Sequence, residues 1–215
     1  MKHVITNIIF DVDGTLVDSK RDIAAAQHWV LAQLGVHSYK PEDLYPLIGK
    51  PLTETFSRLL PPSLHDRIAE ASALYKEHYP PHALDTTTLF PGVRETVAAL
   101  RSRGINLATA TTKLSAGTRR VLTHFGIAEH FSQIQGSDDM PFKPDPFIIT
   151  KIMTDQSWVK ADTLMVGDTD NDIEAGKRAG VLTCGVTYGS LSGEQIRQLK
   201  PDFVIESLPE LLNIL

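Results

Sequence analysis

The chain has 215 residues and a mass of 23.7 kDa, enough for one substantial domain or one domain carrying a modest insertion. Hydrophobic residues make up 42% and charged residues 22%, which excludes a disordered or fibrous class. The formal net charge is -5 and no block of Lys or Arg forms a basic stripe, so a general nucleic-acid binder is excluded; no apolar stretch approaches a membrane span.

The lone cysteine, Cys184, rules out an internal disulfide framework and reads as a buried thiol in an apolar strand. The histidines, His124 and His130 among them, read as surface or satisfied core residues, and no zinc site is expected. The opening Met1-Lys2-His3 leads into a strand without a signal-peptide pattern, so a soluble cytoplasmic protein is the expectation.

Residues 4–10 are β-branched and apolar and end in Asp11-Val12-Asp13-Gly14, which predicts a buried strand followed by a tight turn. Ser19, with Asp22 three residues on, resembles a capping box opening a helix over 23–34, which Gly35 closes. Helical segments follow at 42–48, 52–60 and 64–79, punctuated by Pro41, Pro51, Pro61-Pro62 and Pro80-Pro81. No strand is expected between Gly35 and about residue 84.

After Phe90-Pro91-Gly92 the pattern alternates. Helices are predicted at 93–103, 115–125, 144–153, 170–179, 193–199 and 209–215. Strands are predicted at 106–111, 133–136, 163–166, 181–186 and 203–205. Alternation of this kind builds βαβ units on a parallel sheet. The chain is therefore expected to be α/β, with a core of 1–15 and 85–215 and an all-helical insertion at 16–84.

Open parallel sheets bind ligands at the carboxyl ends of their strands, so those positions are the ones to inspect. Asp11, Asp13, Gly14 and Thr15 follow the first strand; Thr111, Thr112 and Lys113 follow the second. Lys143 stands in the segment Phe142-Lys143-Pro144, and Gly167-Asp168-Thr169-Asp170-Asn171-Asp172 follows a later strand. Carboxylates, a hydroxyl and an ammonium gathered at one edge suit a phosphoryl group with a divalent metal. Magnesium takes hard oxygen ligands, and the ammonium and hydroxyl can share phosphoryl oxygens. A carboxylate can attack as a nucleophile, and a second one two residues along can move the proton. Asp170 reads mainly as a helix N-terminal residue.

These four segments, in this order, resemble the motifs of the haloacid dehalogenase-like hydrolase superfamily, and the helical insertion resembles the cap of its phosphoglycolate-phosphatase-like branch. The resemblance implies a Rossmann-like three-layer core with a parallel sheet plus an inserted helical cap. It makes Asp11 the nucleophile, Asp13 the acid/base, and Thr111 and Lys143 the partners of the phosphoryl oxygens. It places Mg2+ on Asp11, the main-chain carbonyl of Asp13, and Asp168, with Asp172 in support. Thr112, together with Gly49 and Lys50 in the cap, would meet the substrate. The implied partner is a small phosphorylated metabolite, with neither nucleic acid nor membrane, and the protein is expected as a monomer or homodimer. A phosphomutase, a pyrophosphatase or a nucleotidase would use the same centre.

Overall fold

A computed structural model describes residues 4–214. The packing divides the chain into two units, one up to Val17 and again from Leu89, the other Asp18–Thr88. The chain passes between them at β2 (Val17–Asp18) and β3 (Thr88–Leu89).

The first unit is built on six parallel strands: β1 (Asn7–Phe10), β4 (Asn106–Thr111), β5 (Gln133–Gly136), β6 (Thr163–Gly167), β7 (Leu182–Val186) and β8 (Phe203–Ile205). Their order in the sheet is β5-β4-β1-β6-β7-β8. The central strand β1 is therefore flanked by β4 and β6, with Phe10 level with Thr109 on one side and Val166 on the other. That register brings the segments after β1, β4 and β6 to the same edge. Ile9, Ala108, Ala110 and Met165 lie on one face, covered by Ile148, Ile149 and Ile152 of α6 (Phe147–Gln156) and Ala175 and Ala179 of α7 (Asp170–Ala179). Alternation along the strands turns Ile8, Phe10, Leu107, Leu164 and Val166 to the opposite face, and all five are fully buried. The α/β class and the parallel sheet are as the alternation of periods predicts.

The second unit is helical: α1 (Lys20–Gln33), α2 (Leu52–Leu59) and α3 (Ile68–His82), with 3-10 segments at Pro41–Leu47 and Pro62–Arg67. Its core gathers Val30, Leu31, Leu44, Phe56, Ala71, Tyr75 and Tyr79. Trp29, Tyr75 and Tyr79 are packing residues. Trp29 stacks on His78 at 3.9 Å, and Tyr75 on Tyr79 at 5.1 Å.

The start of α1 differs from the predicted capping box. Asp22 turns away from its own helix and accepts hydrogen bonds from the backbone N–H and hydroxyl groups of both Thr86 and Thr87, at 2.6–3.0 Å. Two donor pairs sixty-odd residues away outcompete one local amide. Helix α3 also runs through Pro80 and Pro81 to His82 instead of stopping at Tyr79. The carbonyls those prolines leave unpaired belong to the exposed residues Lys76 and Glu77, where water can serve them. Helix α6 begins three residues later than predicted, because the side chain of Asp145 accepts from the N–H of Phe147 and sets the first turn after Pro146.

Candidate active site

The turn after β1 is closed by its own backbone. The N–H groups of Thr15, Leu16 and Val17 all point to the carbonyl of Val12, and the N–H of Gly14 reaches Val17. Val12, Leu16 and Val17 are buried anchors, so Asp11 and Asp13 are held between them. Gly14 has φ +86° and lies against Asp168; a Cβ there would overlap that carboxylate. The glycine thus serves both the turn and the close approach of Asp168.

Asp11 and Lys143, 132 residues apart in sequence, meet here. The ammonium of Lys143 lies 2.9 Å from Asp11 Oδ1, 2.5 Å from Asp172 Oδ1, and 2.8 Å from the carbonyl of Ala110. The other oxygen of Asp172 accepts from the N–H and hydroxyl of Thr169, closing a capping box at the start of α7. Asp172 is therefore committed to positioning Lys143 and its own helix. Asp168 accepts from the Thr15 hydroxyl at 3.1 Å and from the Ser190 N–H at 2.7 Å. Asp170 is exposed in the first turn of α7 and receives only the N–H of Asn171 among its hydrogen bonds, the helix-terminal role read from sequence.

Carboxylate oxygens of Asp11, Asp168 and Asp172 lie within 4.8 Å of one another, and all three residues are buried. Burial pushes Asp11 up to about 8 against the pull of Lys143, and Asp172 and Asp168 add to the rise. Burial, with the charge of Asp172, pushes Asp168 up to about 6. Burial alone would favour the neutral amine of Lys143, but Asp11 and Asp172 outweigh it and hold the lysine above its ordinary range.

At this edge four carboxylates, with Asp13 included, face two ammonium groups, Lys143 and Lys113. Hard oxygen donors, buried and in excess of their counter-charge, fit a small divalent cation. Asp11 and Asp168 are the carboxylates best placed to hold it directly, with Asp172 behind them.

Thr111 ends β4, buried, and its hydroxyl accepts from the N–H of Lys113 at 3.3 Å. Thr112 follows it, half-buried. Gly49 (φ +87°) and Lys50 lie in the helical unit, where Lys50 pairs with Glu54 at 3.6 Å.

Two residues that the sequence marks only by their place at a strand end gain partners here, and a third lies outside the four segments read from sequence. Thr15 holds Asp168, and Lys113 pairs with Asp13 at 3.2 Å. Ser190 lies in the segment after β7, a strand end whose residues Thr187-Tyr188-Gly189-Ser190 carry no charge to mark it in the sequence. His78-x-x-x-His82 has the i, i+4 spacing of a metal-binding pair, but its rings pack against each other at 4.6 Å with a 32° tilt.

A profile of haloacid dehalogenase-like hydrolases matches residues 8–186, spanning all four of these segments. The chain belongs to that family. A haloacid dehalogenase-like hydrolase from Streptococcus pneumoniae superposes with TM-score 0.88 at 27% identity, covering 97% of each chain. A protein described as a predicted phosphoglycolate phosphatase from Haemophilus somnus superposes with TM-score 0.86 at 28% identity, over 98% of this chain and 97% of that one. In sequence, a pyrophosphatase of Halalkalibacterium halodurans is 36% identical over 98% of this chain and 96% of its own length. A phosphoglycolate phosphatase of Vibrio vulnificus is also 36% identical, over 96% of this chain and 94% of its own. This member of the family is thus an enzyme of its hydrolase class, with phosphatases as its full-length relatives. No helix among the described residues is long and apolar enough to cross a membrane.

Proposed function

We propose that the protein is a magnesium-dependent phosphatase acting on a small phosphate monoester, phosphoglycolate or a close analogue, through an aspartyl-phosphate on Asp11. The observation that carries this reading is the Lys143 ammonium at 2.9 Å from Asp11 and 2.5 Å from Asp172, with the carboxylate of Asp168 alongside. An anionic nucleophile approaches an anionic phosphate only where positive charge is already in place.

Magnesium would be held by Asp11, the main-chain carbonyl of Asp13 and Asp168. When bound it supplies charge that neutralises the phosphoryl oxygens. Lys143 and the Thr111 hydroxyl would take the remaining oxygens. The Asp11 carboxylate attacks phosphorus as the bond to the leaving oxygen breaks, and Asp13 delivers a proton to that oxygen. Asp13 then takes a proton from water, the water oxygen bonds to phosphorus, and the phosphorus–oxygen bond to Asp11 breaks. Phosphate leaves, the Asp11 carboxylate is regenerated and Asp13 is left protonated for the next cycle.

The helical unit would serve as a cap whose face, with Gly49 and Lys50, selects the substrate and keeps water out during the chemistry. A pyrophosphatase is the second reading, favoured by the Halalkalibacterium halodurans relative at 36% identity. Both readings are tested by phosphate release from phosphoglycolate, pyrophosphate, sugar phosphates and nucleotides with magnesium. Exchange of phosphate between sugar positions without release would identify a mutase instead.

A further inference from the structure

Lys113 has no task in the scheme above, yet its placement is closely determined. Its N–H donates to the Thr111 hydroxyl at 3.3 Å, and its carbonyl accepts from the Ser137 N–H at 3.2 Å. The following Ser115 is tied to Asp138 through both its N–H and its hydroxyl. The aliphatic stem lies along Gly117, where a Cβ would come within 3.6–3.7 Å of Cγ and Cδ. The ammonium then reaches Asp13 Oδ2 at 3.2 Å, with side chains only 8% and 11% exposed. Two lysines therefore divide two carboxylates: Lys143 grips the nucleophile and Lys113 grips the acid/base.

This arrangement has a consequence for substrate choice. Asp13 must turn an oxygen toward the leaving group, and while Lys113 holds it that motion is opposed. A mostly buried ammonium gives up one anion readily only for another. We propose that Lys113 is a specificity-determining residue that takes a second anionic group on the leaving portion of the substrate, a carboxylate or a second phosphate. The exchange frees Asp13 to serve the leaving oxygen. Small phosphate esters or anhydrides carrying a second anion are then preferred, and those with neutral leaving groups leave Lys113 on Asp13. This inference rests on the phosphatase reading and deepens it.

The test compares kcat/KM for phosphoglycolate, pyrophosphate and p-nitrophenyl phosphate, with magnesium, in the wild type and in Lys113→Met, Lys113→Gln and Lys113→Arg. The preference for the doubly anionic substrates over p-nitrophenyl phosphate should fall about tenfold to a hundredfold in Lys113→Met and Lys113→Gln, the range of a charged hydrogen bond. The change should lie mainly in KM, and Lys113→Arg should recover part of it. The substrate that loses more identifies the second anion as carboxylate or phosphate. Loss by one common factor for all three substrates, the mark of a merely structural ion pair, would overturn the proposal. Wild-type protein inactive on all three would overturn the phosphatase reading itself.

Discussion

Lys143 sits where two buried carboxylates depend on it. Removing the ammonium in Lys143→Met leaves Asp11 and Asp172 facing each other in a buried site, so it should destabilise the protein by about 3–5 kcal/mol, measurable by chemical denaturation, besides abolishing turnover. Burial of the neighbouring carboxylates sets a pH dependence. Asp11 and Asp168 are raised to about 8 and about 6, so the metal-free folded protein binds their protons more tightly than the unfolded chain does. Its stability from these two groups should fall as pH rises from about 4 to 8. Magnesium must displace those protons, so the increase in Tm on adding magnesium should grow between pH 5.5 and 8.5. A magnesium shift that shrinks with rising pH would contradict this account. At this scale the site was partly legible in the sequence. Asp11, Asp168 and Lys143 announce themselves because each follows a predicted strand or sits beside a proline in an expected place. Lys113 also follows a predicted strand, but its pairing with Asp13, like the contact of Ser190 with Asp168, depends on the sheet order, which no periodicity shows.

Among the elements, the sheet strands were legible because two-sided burial writes continuous apolar runs, and helix α7 because its capping box is local. Strands β4, β5 and β8 and helix α7 span the residues their patterns predict. The two-residue strands β2 and β3 are too short to show any period, and the proline-rich pieces at 41–47 and 62–67 take 3-10 form, which the helical pattern does not distinguish. The partners of Asp22 were hidden for a different reason: Thr86 and Thr87 are distant in sequence. Burial works against the Asp22 charge, yet those hydrogen bonds outweigh it and hold the carboxyl below its ordinary 3.8. A depressed carboxyl stabilises the fold above the ordinary range, and that contribution is lost as pH falls below it. Asp22→Ala should therefore cost about 2–3 kcal/mol near neutral pH, with the difference from wild type narrowing in acid. Equal stability of the two proteins at pH 7 would contradict the role assigned to Asp22.

Across the whole molecule, the chemistry is assigned to the core unit, and the choice of substrate is shared between Lys113 of that unit and the helical stretch. The core unit holds Asp11, Asp13, Thr111, Lys143 and Asp168, while the helical stretch 18–88 is proposed to select the substrate. Exchanging that stretch for the matching one of a full-length phosphatase relative should reorder the substrate preferences and leave the requirement for magnesium and Asp11 intact. A chimera with unchanged preferences would leave the helical stretch no part in specificity. The central claim is the role of Asp11, and it is tested most directly by hydrolysis of p-nitrophenyl phosphate in wild type and Asp11→Asn, with circular dichroism to show that both are folded. The account predicts turnover in the wild type that requires magnesium and stops on chelation, with none above background in Asp11→Asn. Wild-type turnover by folded Asp11→Asn would contradict it.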